Sequence, residues 1–273
     1  MGLYDIRKAS FAGQFYPSSA QHLKNQIESF IDKNTQKKDC LACLLPHAGY
    51  VYSGKVAAET VSRINLKETI ILLGPNHTGY GAPYSIMTEG IWQTPLGDVK
   101  IDSVLANQIL KNSEFLKEDS SAHINEHSLE VELPFFQYFK KDIKIVPITI
   151  MSEDTNTLKE IGEELTETIE QNGREDSVLI VASSDMTHYE PEPQAKSKDN
   201  EAIKAILELN ENKLIEKKEK LNISMCGFAP AIAMIRAAKL LGAVSSELIR
   251  YQTSGETTGD RNSVVGYAGI IIY

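Results

Sequence analysis

The chain has 273 residues, of which 42% are hydrophobic and 24% charged, as is typical of a globular protein with a sizeable core. Its formal net charge of -9 argues against nucleic acid or an anionic membrane as the main partner. No apolar segment approaches the length of a membrane span, and the first ten residues lack the apolar centre of a signal peptide. We therefore expect a cytoplasmic protein, and since no low-complexity linker divides the sequence, a single domain over residues 1–273.

The first predicted element is a surface helix. Ser18 and Gln21 have the spacing of a capping box, and Leu23 and Ile27 then recur at helical spacing. His22 falls on the opposite side of this helix, so we expect it to be exposed.

Three apolar runs each end in a short polar loop that carries a histidine. Short apolar runs bounded by turn residues predict strands buried on both faces, as in a parallel sheet covered by helices. The runs and their histidines are 41–45 with His47, 70–73 with His77, and 178–182 with His188. Ligands bind beyond the carboxyl ends of the strands in such sheets, so we expect the three loops to meet in one crevice.

Between the second and third runs, a polar segment precedes the apolar stretch 129–139. If the segment is helical, His123 and His127 lie on one face, although the order of residues around Glu126 is not that of a zinc protease. For His123, a surface position near a helix start is an equally good interpretation.

The remaining elements alternate between helices and strands, which predicts an α/β fold with a mixed sheet. We predict helices over 154–171, ended by Gly173, and from Cys226 to 241, ended by Gly242. The charge-rich segment 190–220 predicts a solvated loop followed by surface helices. Further strands are predicted at 143–150, 247–253 and 264–272, with the last two forming an antiparallel pair.

The three cysteines do not indicate a disulfide framework. Cys40 and Cys43 have a C-x-x-C spacing but lie in or beside a strand, where residues three apart point to opposite faces, so we interpret both as core thiols. Cys226 stands where the last helix begins, and the dipole at that end is expected to stabilise a thiolate.

Two loop histidines and one thiolate form a candidate metal site. The predicted ligands are His47, His77 and Cys226, which leave coordination positions open as in catalytic sites. Asp185 and His188 share the third loop and are candidates for orienting a ligand or for acid-base catalysis. The competing interpretation is that the histidines satisfy backbone groups in turns and that Cys226 is a core residue. Phosphate-binding loops, dinucleotide fingerprints and nucleophile elbows are absent from the sequence.

A set of short segments lies in one order along nearly the whole chain: AGQFYP at 12–17, PHAGY at 46–50, YSG at 52–54, GPNH at 74–77, TPLG at 94–97, EHSLE at 126–130, SSDMTHY at 183–189, CG at 226–227, and residues 251–267. In these segments the chain closely resembles the Memo family, in particular the prokaryotic branch found beside AMMECR-like and radical-SAM proteins. The family is similar in fold to class III extradiol dioxygenases of the LigB type. The resemblance therefore implies a three-layer α/β/α sandwich with a mixed, mostly parallel central sheet.

The resemblance also implies a metal on His47, His77 and Cys226, with Asp185 and His188 in the same pocket. Further residues expected to line that pocket are Tyr52, Glu126 and His127. The dioxygenase relatives use two histidines and a carboxylate for Fe(II), whereas a cysteine stands at the third position here. A thiolate also suits copper or zinc, so the expected cofactor is one transition-metal ion, either Fe(II) or copper, with zinc as a further option.

These observations predict a metal-dependent oxidoreductase acting on a small polar or aromatic substrate. One alternative is a metal-binding or peptide-docking protein without turnover, and a second is a metal-assisted hydrolase, since an open metal site can activate water. The expected partners are a small molecule or a peptide, with AMMECR-like and radical-SAM proteins implied by the resemblance.

Overall fold

A computed structural model of the chain describes residues 6–31 and 35–273. Within these ranges the strands are β1 Ile6–Arg7, β2 Ala42–Leu45, β3 Thr69–Pro75, β4 Tyr84–Ile86, β5 Ile91–Thr94, β6 Gly97–Ile101, β7 Lys117–Glu118, β8 Lys144–Ile150, β9 Val178–Ser183, β10 His188–Glu190, β11 Ser246–Thr253 and β12 Val264–Ile272. The α-helices are α1 Ala20–Phe30, α2 Tyr50–Ser62, α3 Ser103–Asn112, α4 Ser121–Ile124, α5 Leu133–Phe139, α6 Thr155–Gln171, α7 Glu192–Leu207, α8 Glu211–Leu221, α9 Phe228–Leu240 and α10 Gly255–Thr258. A single 3₁₀ turn, Glu130–Glu132, precedes α5.

The strands form one mixed sheet with a parallel centre. Its main order is β1-β5-β6-β8-β3-β9-β2-β12-β10, and within the run β6-β8-β3-β9-β2 each strand is parallel to the next. β12 is antiparallel to both β2 and β11, which confirms the predicted closing pair. The central strands β2, β3 and β9 are buried along their whole length because they consist almost entirely of apolar residues.

Helices cover the sheet in two groups, which confirms the predicted α/β class. α1, α2 and α5 pack on one another, while α6 packs on α3 and α9 in the other group. α9 lies against β3 and β9 and is buried over most of its length, as its apolar sequence predicts. Within the described ranges, no helix is both long and apolar enough to cross a membrane.

The order of the central strands positions the candidate site. β9 lies between β3 and β2, so the loops after these three strands are neighbours at one edge of the sheet. β10 pairs with the start of β12, beyond the end of β2, which places the loop after β9 beside the same edge.

The proposed capping box of the first helix is wrong. α1 begins at Ala20, its N-cap is Ser19, and no side chain caps it. Gln21 instead donates a hydrogen bond to Asn25 one turn further on, at 2.8 Å. The predicted apolar face is confirmed, since Leu23 and Ile27 are buried, and His22 is exposed as expected.

The histidine segment before α5 is not one helix. α4 ends at Ile124, and α5 begins at Leu133 with Pro134 in its first turn, because a proline ring is not accommodated in the interior of a longer helix. His123 is therefore not paired with His127, nor is it on the surface. It is fully buried against Trp92, with a ring separation of 6.0 Å, because Arg7 binds its carbonyl oxygen and draws the segment inward.

The charge-rich segment is almost entirely helical, and the loop expected at its start is absent from this described stretch. Pro191 is the N-cap of α7, and Pro193 fits in its first turn because the amide there needs no partner in the helix. α7 is also less exposed than predicted, since Asp199 is fully buried and its carboxylate accepts hydrogen bonds from Thr187 N–H and Tyr251 Oη.

Candidate metal and ligand site

Three donor side chains converge at the carboxyl edge of the sheet. His47, His77 and Cys226 each offer one ligand atom, and these atoms lie within 4.8 Å of one another. The Cys226 Sγ is 3.3 Å from His47 Nε2 and accepts the backbone N–H of Asp185, also at 3.3 Å. Two imidazole nitrogens and one sulfur form a donor set that suits a transition-metal ion and leaves a position open to a ligand.

Cys226 reaches the histidines because the next residue, Gly227, has no side chain and lets the backbone approach β9 closely. A Cβ on Gly227 would lie 2.2 Å from the carbonyl oxygen of Ser183, a distance that real Cβ atoms do not adopt. The Gly227 N–H donates to Ser184 Oγ at 2.9 Å. The start of α9 is thus pressed against the end of β9, and the thiol is carried to the edge of the sheet.

Hydrogen bonds hold both histidines with Nε2 available. Glu126 accepts the His77 backbone N–H and faces His77 Nδ1 at 2.9 Å, so Nδ1 carries the proton and Nε2 the lone pair. Burial would raise the pKa of Glu126, but the hydrogen bonds from His77 and Ser128 lower it to about 2. Glu126 is therefore a charged, buried support for the ring rather than a wall of the pocket.

His47 is oriented by a hydroxyl group and a second buried carboxyl. Its Nδ1 lies 2.8 Å from Ser183 Oγ, which donates its single proton to the Ser128 carbonyl at 2.7 Å and so accepts from the imidazole. Glu132 Oε1 lies 3.0 Å from the same hydroxyl. Burial raises the pKa of Glu132 well above its ordinary value, although the hydrogen bond with Ser183 opposes this, so burial favours the neutral form of the carboxyl.

His127 packs on the ligand cluster as a neutral ring. It stacks on His77 with centroids 4.7 Å apart and contacts Phe15 at 4.6 Å. Burial and the neighbouring His77 lower the pKa of His127 to about 4, against the opposing effect of Glu126. The ring therefore adds no fixed positive charge to the site at neutral pH.

His188 lies across the pocket as an available proton acceptor. Its backbone N–H donates to Ser224 Oγ at 2.8 Å, and its Nδ1 donates to the Ser224 carbonyl at 2.9 Å. Because a carbonyl oxygen only accepts, the neutral ring has its lone pair on Nε2. Burial lowers the pKa of His188, which keeps the ring neutral.

The expectation of a thiolate at rest is wrong for the metal-free chain. Burial, with the carboxyl of Asp185 adding to it, raises the pKa of Cys226 well above its ordinary value. Cys226 is half-buried at the wall of the pocket, and the desolvation of its thiol outweighs the effect of the helix dipole. Burial also raises the pKa of Asp185 to about 7, although the backbone N–H groups of His47 and Ala48 oppose this.

Almost all of the predicted site residues line one cavity of about 580 Å³. They are His47, Tyr52, His77, His127, Asp185, His188 and Cys226, whereas Glu126 lies behind His77. Sequence reasoning missed the aromatic walls formed by Phe15, Tyr189 and Tyr267. It also missed Glu132, whose position as a charged residue inside an apolar run was the available signal.

The sequence profile of a family described as "Memo-like protein" matches residues 7–271. The chain belongs to the Memo family. A MEMO1 family protein of Methanocaldococcus jannaschii is 43% identical over 287 residues, covering 98% of this chain and 99% of the relative. MEMO1 family proteins of Methanopyrus kandleri and Aquifex aeolicus are 40% and 42% identical, each covering 97% of this chain and 98% of the relative.

A solved structure shares the fold at low sequence identity. The crystal structure of an uncharacterized protein from Escherichia coli K12 matches 84% of this chain and 98% of its own, with a TM-score of 0.57 and 16% identity. This likeness supports the α/β architecture of this Memo family member and carries no statement about its chemistry.

Proposed function

We propose that this Memo family protein is a metal-dependent oxidoreductase acting on a small polar or aromatic molecule. The observation that carries the proposal is the convergence of His47, His77 and Cys226 in the lining of a cavity that is also lined by His188. A structural metal site would be closed by four protein ligands, whereas this donor set has three and opens onto space for a ligand.

The surrounding residues support such chemistry. A bound transition ion would polarise a substrate oxygen and exchange electrons with the substrate. His188 then accepts the proton of a substrate hydroxyl at Nε2, since Nδ1 is held by Ser224. Asp185, with its pKa raised to about 7, exchanges a proton close to neutral pH and holds the His47 loop through the backbone.

The proposed ion is Fe(II) or copper, with zinc as a further option. Imidazole suits all three metals, and a thiolate shifts preference from iron toward copper and zinc. As further proposals, the protein acts in the cytoplasm and works with AMMECR-like and radical-SAM proteins.

Metal analysis and oxygen uptake test the oxidoreductase proposal. Untagged protein purified without oxygen should contain about one metal ion per chain, and His47→Ala or Cys226→Ala should lose it. Loaded with Fe(II) or copper, the native protein should consume oxygen when catechol or another small phenol is added, and His188→Ala should retain the metal but lose most of this uptake.

Two outcomes favour the alternatives. Stoichiometric metal without oxygen uptake or hydrolysis identifies a metal-binding or peptide-docking protein. Metal-dependent cleavage of a test ester without oxygen uptake identifies a hydrolase. Absence of metal from the native protein, combined with no gain on reconstitution, refutes the site itself.

A further inference from the structure

Tyr189 occupies a backbone conformation that its residue type avoids. Its φ is +59°, in the left-handed region where glycine, asparagine and aspartate are usual and an aromatic residue is an outlier. The cause is a β-bulge. His188 pairs with Val265 and Glu190 with Val264, so Tyr189 is the extra residue on its strand.

The Tyr189 side chain makes few packing contacts that would offset this backbone strain. The residue is 78% exposed, and its ring contacts the ring of its own neighbour His188, with the two centroids 5.7 Å apart. The other non-glycine residues with positive φ among those described are explained locally. Leu209 is 9% exposed and packs in the core, and Asn222 is a residue type that tolerates this region.

The bulge aims Tyr189 at the mouth of the cavity. Its side chain lines the cavity together with Tyr52 and Tyr267, and Phe15 forms part of the same wall. Bulges commonly redirect one side chain next to an active site. The backbone of Tyr189 is strained, yet its side chain does not pack in the core. Strain of this kind at a residue that lines a pocket points to a role in binding.

The side chains that line the cavity indicate the charge of a ligand that could bind there. No lysine or arginine lines it among residues 6–31 and 35–273. The aromatic walls offer stacking surfaces, which accept any planar ring.

We propose that Tyr189 is a specificity-determining residue that holds an uncharged planar aromatic ligand at the mouth of this cavity. The bulge presents the phenol ring as one face of the binding site, and the strain is retained for that contact. The proposal deepens the proposed function and rests on the same pocket, but it does not depend on the metal.

Paired probes test the ligand class without the metal. 2-Naphthol and 2-naphthoate have the same fused ring, and at pH 7.5 the first is neutral and the second is an anion. The full chain is first treated with a chelator, so that neither probe can bind through a metal ion, and binding is then measured by fluorescence titration. We expect 2-naphthol to bind at least tenfold more tightly than 2-naphthoate. Equal binding, tighter binding of the acid, or no binding of 2-naphthol overturns the proposal.

Substitution of Tyr189 tests the role of the ring and of the strain together. Tyr189→Gly should weaken 2-naphthol binding about threefold to tenfold, the range of one aromatic contact, and raise Tm by about 2 to 4 °C as the backbone strain is relieved. Tyr189→Phe keeps the ring and should bind as the native chain does. Asn222 also has a positive φ but does not line the cavity, so Asn222→Gly is the control and should leave 2-naphthol binding unchanged.

Either half of the Tyr189→Gly result can overturn the proposal. A lower Tm shows that the tyrosine stabilises the fold, and unchanged 2-naphthol affinity shows that the ring does not contact the ligand. Metal titration of the same variants separates this proposal from the oxidoreductase proposal, because Tyr189→Gly should bind metal as tightly as the native protein.

Discussion

Zn²⁺ uptake above pH 8 should release one proton, and that proton should come from Cys226. Burial holds the pKa of this thiol well above its ordinary value, so the metal must displace its proton. Burial lowers the pKa of His47, so that ligand is already neutral, and Asp185, with a pKa of about 7, is already ionised. The dissociation constant should therefore fall about tenfold per pH unit between pH 8 and 9, or about 1.4 kcal/mol.

The size of the thiolate contribution follows from comparable sites. Structural zinc sites with four ligands bind with about 10 to 16 kcal/mol, which is roughly 3 kcal/mol per ligand. Cys226→Ala should then weaken Zn²⁺ binding at least about a hundredfold at pH 8 and remove the pH dependence. Cys40→Ala is a control, since burial also raises the pKa of the Cys40 thiol but Cys40 is not one of the clustered donors.

Competition with a fluorescent zinc chelator across this pH range measures the slope. Calorimetry in two buffers of different ionisation enthalpy counts the released protons independently. A native slope close to zero shows that the thiol stays protonated or does not bind the metal. The same slope in Cys226→Ala assigns the proton to another group, and either result refutes the reasoning.

Three further predictions concern the groups around the ligands. Glu126→Gln should weaken Zn²⁺ binding about 10- to 100-fold in the same competition assay, because a neutral amide holds the His77 ring less firmly, and a loss below threefold contradicts this role. Asp185→Asn should flatten the pH dependence of metal-free stability. The folded-state pKa of about 7 lies above the ordinary 3.8, so native stability should fall as pH rises from about 4 to 7, by at most about 4 kcal/mol. Urea unfolding at pH 5 and pH 8 measures this, and an unchanged dependence in the variant would place the effect elsewhere. Gly227→Ala should cost about 3 kcal/mol or more in urea unfolding, because its Cβ would overlap the Ser183 carbonyl, whereas Gly49→Ala meets only contacts of 3.6 Å or more and should cost about 1 kcal/mol or less.

The sequence alone was sufficient to predict the α/β class, the main strands and the clustering of His47, His77 and Cys226. An apolar run such as 70–73 predicts a strand that is buried on both faces. A histidine that directly follows such a strand must lie near the edge of the sheet. Family membership also followed from motifs spread along the chain and is confirmed by the profile match. These features are readable because they depend on local pattern and on order along the chain.

Tertiary structure decided the features that depend on burial and on distant partners. His123 is buried because Arg7, more than a hundred residues away in sequence, binds its carbonyl oxygen. The protonation of Cys226 depends on desolvation, which no local pattern records. Only the pairing of β10 with β12 places Tyr189 in a bulge at the mouth of the cavity, because a bulge is a relation between two strands and not a property of either sequence.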